Sequence, residues 1–314
     1  MVHPVALRRC PSYDAADLDP ALDALLADLG GLARFVKAGQ TVILKPNLIA
    51  DCPPERCATT HPAVIAALAR RVQALGATPV IADAPAWGGP KTVARVTGMT
   101  AVCEELGIEF VNFDQKTRLA SVRPEIATHF HVDPRLLAAD VVINCGKFKA
   151  HQQLGFTNCL KNLYGAIAGR EKAWHHLARS RTDMVFARFI AALAYSVPVK
   201  LHVSDAVGVM EGAGPRLGTA WHWGVLAASA GGSEIDAVLA DLVGVPASHR
   251  LVLDAVAELG LGETDPARID TVGEEREGLR ASGFLWPHLV GVAFSPPRLV
   301  RGWWRNRRMV RAEE

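Results

Sequence analysis

Gln40–Lys45 reads QTVILK, a short run rich in β-branched residues, and it begins the stretch that decides the fold. A capping threonine in Thr59–Pro62 (TTHP) precedes a segment, 63–75, whose apolar residues recur with helical periodicity until Gly76. Thr78–Asp83 (TPVIAD) follows as a second strand. Strand, helix and strand in this order predict a βαβ unit with a right-handed crossover, and therefore a parallel sheet.

The rest of the chain continues this alternation. A strand is predicted over 107–112, and a hairpin or edge strand over 119–133. The second half is predicted to contain strands at 140–145, 199–205 and 223–228, a helix-rich stretch at 158–194, and helices at 233–242 and 250–258. We therefore expect an α/β fold with a parallel or mixed sheet. Two α/β lobes with a cleft between them are expected over 1–125 and 126–290, followed by a tail, 291–314.

Charge is almost balanced over the chain, with 34 Lys and Arg against 32 Asp and Glu in 314 residues. This balance argues against bulk binding of nucleic acid, which needs an excess of cationic side chains. The basic character is concentrated from Arg298 onward, where six Arg and two Glu are found. We expect this tail, 298–314, to pack on its own domain or on a partner subunit, with peripheral membrane contact as the alternative.

The six cysteines form no CxxC pair and no run of the kind that holds an iron–sulfur cluster. Cys52 and Cys57 are the only close pair, and a lone pair at this spacing is more often incidental than a metal clip. The first twenty residues contain no apolar stretch of the signal-peptide type, and no apolar run long enough to span a membrane follows. These features predict a cytoplasmic protein with free thiols.

Charged and polar side chains collect where the predicted strands end. Lys45 and Asn47 follow the first strand, and Asp83 closes the next. The others are Lys147, Lys149 and His151 after the strand at 140–145, Asp205 at the end of the strand at 199–205, and Glu211 beyond that strand. Ligands of open α/β sheets bind beyond the carboxyl ends of the strands. Four strands that deliver such groups to one edge therefore predict a binding site there.

The densest signal is Lys147–Gly165, KFKAHQQLGFTNCLKNLYG. A lysine can be desolvated until it acts as a base or nucleophile, whereas an arginine stays charged. Lys161 is interpreted either as a side chain that snorkels from a helix flank or as an ammonium held in a pocket against a carboxylate or phosphate. The predicted catalytic residues are Lys149, His151, Lys161, Asp205 and Glu211. The residues predicted to bind a cofactor of unknown identity are Lys45, Asn47, Lys147, Asn162, Gly212 and Gly214.

Gly208–Gly218, GVMEGAGPRLG, contains four glycines and could wrap a phosphate through backbone N–H groups. No Gly-Lys-Ser/Thr follows it, so it is not a Walker A sequence, and GxGxxG is absent from the chain. The glycines therefore allow nucleotide binding without indicating it.

Several of these motifs resemble the domain of unknown function 362 family of bacterial and archaeal proteins. The resemblance extends in order over roughly residues 40–275, and many members of that family also carry a ferredoxin-type cluster domain. This chain has no cysteines of that kind. The motifs that carry the resemblance are KPNL at 45–48, TTHP at 59–62, KFKAH at 147–151, LKNLYG at 160–165, GREKAWHH at 169–176 and SDAVGVMEGAGPRLG at 204–218.

A second resemblance is to the nickel-pincer lactate racemases, whose HxxxGFSGGxK-like segment is similar to His151–Thr157 followed by Lys161. In that class such a lysine tethers the cofactor, and histidines act as acid and base. The glycine pair of their motif is replaced here by Asn158 and Cys159. This likeness is an analogy at the level of the fold.

Three functions remain open from the sequence. The first is an enzyme in which Lys147, Lys149 and Lys161 fix a small carboxylate or phosphate and His151 transfers protons, oriented by Asp205 or Glu211, in an isomerase-, lyase- or redox-type reaction. The second is a metal- or iron–sulfur-associated redox protein. The ligands of that second site would be His151, Asp205, Glu211 and either His222 or Cys159. The third is a non-catalytic binding or assembly factor that docks through the Arg/Trp tail.

Overall fold

The computed structural model of the protein describes residues 1–168, 172 and 183–290. The predicted tail, 291–314, lies outside the described residues, as does most of the GREKAWHH motif at 169–176. Within the described ranges, no helix is both long and apolar enough to cross a bilayer.

A nine-stranded sheet forms the centre of the molecule, and a two-stranded sheet lies beside it. Along the large sheet the strand order is β11-β1-β10-β9-β7-β2-β3-β4, and β8 pairs with β7 outside this path. The small sheet consists of β5 and β6, which pair antiparallel as the predicted hairpin. The strands are β1 (Val5–Arg9), β2 (Thr41–Lys45), β3 (Thr78–Asp83), β4 (Glu109–Asn112), β5 (Thr117–Ala120), β6 (His129–Val132), β7 (Val141–His151), β8 (Gly155–Thr157), β9 (Val199–Glu211), β10 (Thr219–Ser229) and β11 (Thr271–Gly273).

The sheet is mostly parallel, which confirms the α/β prediction. β4, β3, β2, β7 and β9 all run in the same direction. β10 is antiparallel to both of its neighbours, β9 and β1, and β8 is antiparallel to β7. Parallel strands need crossover connections, and the helix between β2 and β3 supplies one of them, as the βαβ pattern predicts.

Helices cover both faces of the sheet. The first four pack their apolar side chains on one face, and the other helices contribute to the core on the opposite face. Successive strand residues point to opposite faces, so strands covered on both sides are apolar almost throughout. The helices are α1 (Ala15–Asp28), α2 (Pro62–Ala74), α3 (Pro90–Val96), α4 (Met99–Leu106), α5 (Pro134–Ala138), α6 (Cys159–Asn162), α7 (Asp183–Ser196), α8 (Gly232–Leu242), α9 (Leu251–Glu258) and α10 (Arg276–Leu279).

The halves expected as two lobes, 1–125 and 126–290, share the large sheet. β2 of the first half pairs with β7 of the second. β1, also from the first half, lies between β10 and β11 at the far side of the same sheet. The boundary expected near residue 125 therefore falls between elements whose strands are joined by backbone hydrogen bonds.

Two strands of the second half are longer than predicted. The expectation that Lys147, Lys149 and His151 follow a strand was wrong, because β7 continues through them to its last residue. β9 likewise extends through Asp205 to Glu211. Pairing causes the extension, since β8 pairs with the end of β7 from Lys149 onward and β9 runs beside it. Only the part of the predicted Gly-rich loop that lies between β9 and β10 is a turn.

Candidate functional site

The first group of polar side chains surrounds Asp205 on β9. Lys147 on β7 is directly opposite Asp205 in the strand register, and its Nζ lies 2.8 Å from Asp205 Oδ2. The Tyr13 hydroxyl donates to Asp205 Oδ1 at 2.7 Å and accepts from Lys147 Nζ at 2.9 Å. The backbone N–H of His61 donates to Asp205 Oδ2 at 2.9 Å. Asp205 is fully buried, so these partners compensate its charge inside the protein.

The rings of Tyr13 and His61 stack, with centroids 3.7 Å apart and an interplanar angle of 7°. Burial raises the pKa of Tyr13, and the negative charge of Asp205 raises it further. Burial lowers the pKa of His61, whose Nδ1 accepts from the N–H of Ala63 at the start of α2. Tyr13 is therefore a neutral hydroxyl donor, and His61 is a neutral ring that holds its proton on Nε2.

A second group is centred on the Lys45–Asp83 ion pair at the ends of β2 and β3. The Lys45 Nζ lies 2.8 Å from Asp83 Oδ1 and 3.4 Å from Asn162 Oδ1. Asp83 Oδ2 accepts from the N–H of Leu48 at 2.9 Å. A Cβ on Gly165 would overlap both Lys45 Nζ and Asp83 Oδ1, so a glycine is needed beside the pair. Both charged side chains are buried, as the two strands deliver them to the same edge.

Lys149 lies between these two groups and has no carboxylate partner among the described residues. Its Nζ is 2.8 Å from Asn47 Oδ1 and also donates to the carbonyl of Ala58. Lys149 is fully buried. Burial lowers its pKa well below the usual range, and the positive charges of Lys161 and Lys147 lower it further. Lys149 is therefore held in two neutral hydrogen bonds, and no described carboxylate forms an ion pair that would stabilise its ammonium form.

Lys161 and Lys172 are the remaining lysines of the site. Lys161, on α6, is half-buried, and no described residue hydrogen-bonds or ion-pairs with its Nζ. Lys172 is buried and donates to the carbonyl of Ala84. Burial lowers the pKa of Lys161 to about 8 and that of Lys172 to about 7. A substantial neutral amine fraction is thus present near physiological pH.

A chain of hydrogen bonds leads from Lys45 to a buried histidine, His202, through two amides. Asn162 accepts from Lys45, and its Nδ2 donates to Asn144 Oδ1 at 2.7 Å. Asn144 Nδ2 lies 2.8 Å from the Cys159 carbonyl and 3.0 Å from His202 Nδ1. Because the amide nitrogen can only donate, His202 Nδ1 is an acceptor and its proton is on Nε2. Burial lowers the pKa of His202 to about 3.

The structure places two other predicted residues, His151 and Glu211, in hydrogen bonds with backbone N–H groups outside this cluster. His151 ends β7, and its Nδ1 accepts from the N–H groups of Gln153 and Leu154, each at 3.2 Å. Glu211 Oε2 accepts from the N–H of Leu285 at 2.9 Å. Neither Asp205 nor Glu211 hydrogen-bonds to the His151 ring. The prediction that one of these carboxylates orients His151 was therefore wrong.

The glycines predicted to bind a cofactor use their own N–H groups within the protein. The Gly212 N–H donates to the Leu285 carbonyl at 2.8 Å, and the Gly214 N–H donates to the Gly212 carbonyl at 2.7 Å. A Cβ on Gly214 would overlap the carbonyl oxygen of Ala150. Close packing of the turn against β7 therefore explains Gly214, and neither amide is left to wrap a phosphate.

The metal ligands predicted for the alternative redox function lie on several different elements of the fold. His222 is exposed on β10, whereas Cys159 is buried at the start of α6, where its N–H donates to Asp236. Among residues 1–168, 172 and 183–290, no three His, Cys, Asp or Glu side chains lie close enough together to hold a metal ion. Cys52 and Cys57 are free thiols.

The charges of the site do not balance. Its carboxylates, Asp83 and Asp205, are each paired with one lysine. The remaining lysines are Lys149, Lys161 and Lys172, and no described carboxylate forms an ion pair with them. Such an arrangement can hold a small anion, which would supply the missing negative charge, and can offer neutral amines as bases.

The sequence indicated several residues of this cluster, but not Tyr13, His61, Lys172, Asn144 or His202. Tyr13 follows β1, which the sequence analysis did not predict, and it reaches Asp205 only because β1 joins the far side of the sheet. His61 lies in the TTHP motif, whose sequence indicates a helix start and no contact with a distant strand. Its direct interactions with Tyr13 and Asp205 depend on tertiary contacts.

Comparisons with known proteins agree with the motifs on which the site is built. A family model described as "Domain of unknown function (DUF362)" matches residues 42–241. The chain is 33% identical over 306 residues to a thylakoid-associated protein of Synechocystis sp., a match that covers 98% of this chain and 95% of that protein. Among solved structures, the lactate racemase apoprotein of Thermoanaerobacterium thermosaccharolyticum aligns with a TM-score of 0.42 at 12% identity. That alignment covers 69% of this chain and 54% of the racemase, so this chain matches about half of the racemase.

Proposed function

This chain belongs to the domain of unknown function 362 family, and we propose that it is an enzyme acting on a small carboxylate or phosphate by lysine acid–base chemistry. One observation carries the proposal: Lys149, Lys161 and Lys172 lie together with no described carboxylate paired to any of them. Burying cationic groups without counter-charges is costly. An anionic substrate would remove this cost by pairing with them.

The two kinds of lysine in the site are suited to different tasks. Lys45 and Lys147 are fixed in ion pairs with Asp83 and Asp205, so they contribute stable charge and position. Lys161 has a lowered pKa and is not held by a described partner, so it can bind an anion as an ammonium or accept a proton as an amine. Tyr13 and His61 add a hydroxyl and a neutral imidazole beside Asp205.

Calorimetric titration with oxalate and with phosphate tests the proposal. We expect Lys161→Met to weaken anion binding by roughly 10–100-fold, because it removes one charge-assisted interaction. The substitution leaves no described partner unsatisfied, so the fold should persist. Affinity should also fall as the pH rises above about 8, where the ammonium form of Lys161 is lost.

Lys200→Met is the matched control, because Lys200 is exposed on β9 near the opposite end of that strand from Glu211. It should bind both anions as the unaltered protein does. Failure of the unaltered protein to bind either anion at millimolar concentration, or equal losses in the two variants, would contradict a specific anion site at the lysines.

We propose a cytoplasmic location, with the basic tail, 298–314, packed on its own domain or on a partner subunit. The thylakoid-associated relative makes peripheral membrane contact the alternative to be tested. Co-sedimentation with anionic vesicles at physiological salt should leave the protein in the supernatant. If it pellets, and deletion of 298–314 returns it to the supernatant, the tail contacts the membrane instead.

A further inference from the structure

Lys161 differs from the other lysines of the site in what its amine contacts. Lys45 and Lys147 are ion-paired, and Lys149 and Lys172 donate to protein oxygens. The Nζ of Lys161 has no such partner among the described residues, and its side chain is only half-buried. Its amine is therefore not committed to a partner within the described structure, and its side chain is partly exposed.

The backbone that carries Lys161 is held firmly. At the start of α6, the N–H groups of Cys159 and Leu160 donate to the two oxygens of Asp236, at 2.9 and 3.1 Å. The next residue after Lys161, Asn162, is fixed by its hydrogen bonds to Lys45 and Asn144. A nucleophile on such a support is held in position before its target arrives.

The electrostatic surroundings favour the neutral amine, which is the nucleophilic form. Burial lowers the pKa of Lys161 to about 8, so about a tenth of the molecules carry a neutral amine at pH 7. At the ordinary pKa of a lysine this fraction is well below one in a thousand. Desolvation is one of the factors that activate amine nucleophiles.

We propose that Lys161 forms an imine with a small 2-oxo acid, a substrate with a carbonyl next to its carboxylate. This inference rests on the proposed function, since the same lysines must first hold the carboxylate. The amine nitrogen attacks the carbonyl carbon and a C–N bond forms. The carbonyl oxygen then leaves as water, with the two hydrogens of the amine balancing its departure. No oxidant or reductant is needed.

Borohydride trapping tests this step with pyruvate as the probe. Sodium borohydride reduces an imine to a stable secondary amine, so the protein incubated with pyruvate and borohydride should gain one adduct by mass spectrometry. Peptide mapping should locate the adduct on Lys161. Labelling should increase as the pH is raised from about 6 to 8, because the amine fraction increases over that range.

Lys161→Arg keeps the positive charge but cannot form an imine, so it should lose the adduct while still binding oxalate in the calorimeter. Lys200→Arg is the matched control and should label as the unaltered protein does, because Lys200 is exposed and outside the cluster. An adduct spread over surface lysines, or retained fully in Lys161→Arg, would overturn the inference.

The two proposals fail in different ways. Oxalate or phosphate binding without any pyruvate adduct would overturn the imine and leave the anion site intact. Absence of both anion binding and adduct would overturn the anion site and the imine together. An adduct on Lys161 that free oxalate suppresses would support both.

Discussion

Asp205→Ala is expected to lower the free energy of unfolding by about 3–5 kcal/mol, as removal of one partner from a buried ion pair typically does. The substitution leaves the Lys147 ammonium buried without its carboxylate. It also removes the acceptor for the Tyr13 hydroxyl and for the backbone N–H of His61. Urea unfolding with linear extrapolation measures the loss.

Glu277→Ala is the control, because Glu277 forms an ion pair with Arg280 at 2.8 Å on the exposed surface. Exposed pairs contribute little, so this variant should stay within about 0.5 kcal/mol of the unaltered protein. A loss below about 1 kcal/mol for Asp205→Ala would mean that the buried pair is absent from the folded protein.

Stability should also depend on pH through His202. Its pKa is lowered to about 3 in the folded protein, mainly by burial, whereas in the unfolded chain it protonates near 6.5. Between these values the unfolded state binds one more proton than the folded state. The contribution of His202 is therefore complete above about pH 6.5 and is lost as the pH falls, at about 1.4 kcal/mol per pH unit.

The comparison of the unaltered protein with His202→Asn isolates this effect. The pKa of Asp236 is raised to about 7 by burial, so its contribution has the opposite sign: the folded state binds the extra proton, and stability falls as the pH rises from about 4 to 7. Asp236 is present in both proteins and cancels in the difference. The stability advantage of the unaltered protein over His202→Asn should shrink by roughly 2–3 kcal/mol between pH 6 and pH 4. A difference that is independent of pH would show that His202 titrates normally.

The sequence predicted the βαβ unit at 40–83 because its signals are local. An apolar run, a helix start and a glycine stop each depend on neighbouring residues alone, and the structure confirms both strands and the helix, with His61 rather than a threonine as the N-cap. The extension of β7 past Gly146 was not predictable in this way. Gly146 looks like the end of a strand, and only pairing with β8 and β9 continues the strand beyond it.

In the site, too, residues marked by local sequence signals were predictable, and a residue that depends on tertiary contacts was not. Lys45, Lys147 and Lys149 could be selected because lysines are rare in this chain and lie at the carboxyl side of predicted strands. The structure brings them together around Asp83 and Asp205. Tyr13 could not be selected, because nothing in its sequence neighbourhood indicates that it reaches Asp205 on a strand far along the chain.

β1, near the start of the sequence, pairs with β10 and β11, which both lie near the other end of the described residues. During synthesis, Val5–Arg9 leaves the ribosome long before residues 219–229 and 271–273 have been made. Tyr13 therefore cannot reach Asp205 until the chain has been translated past residue 205. The Lys147–Asp205 pair with its bond from Tyr13 is therefore expected to form after β9 and β10 have been made, later than the Lys45–Asp83 pair, whose members lie in the first part of the chain.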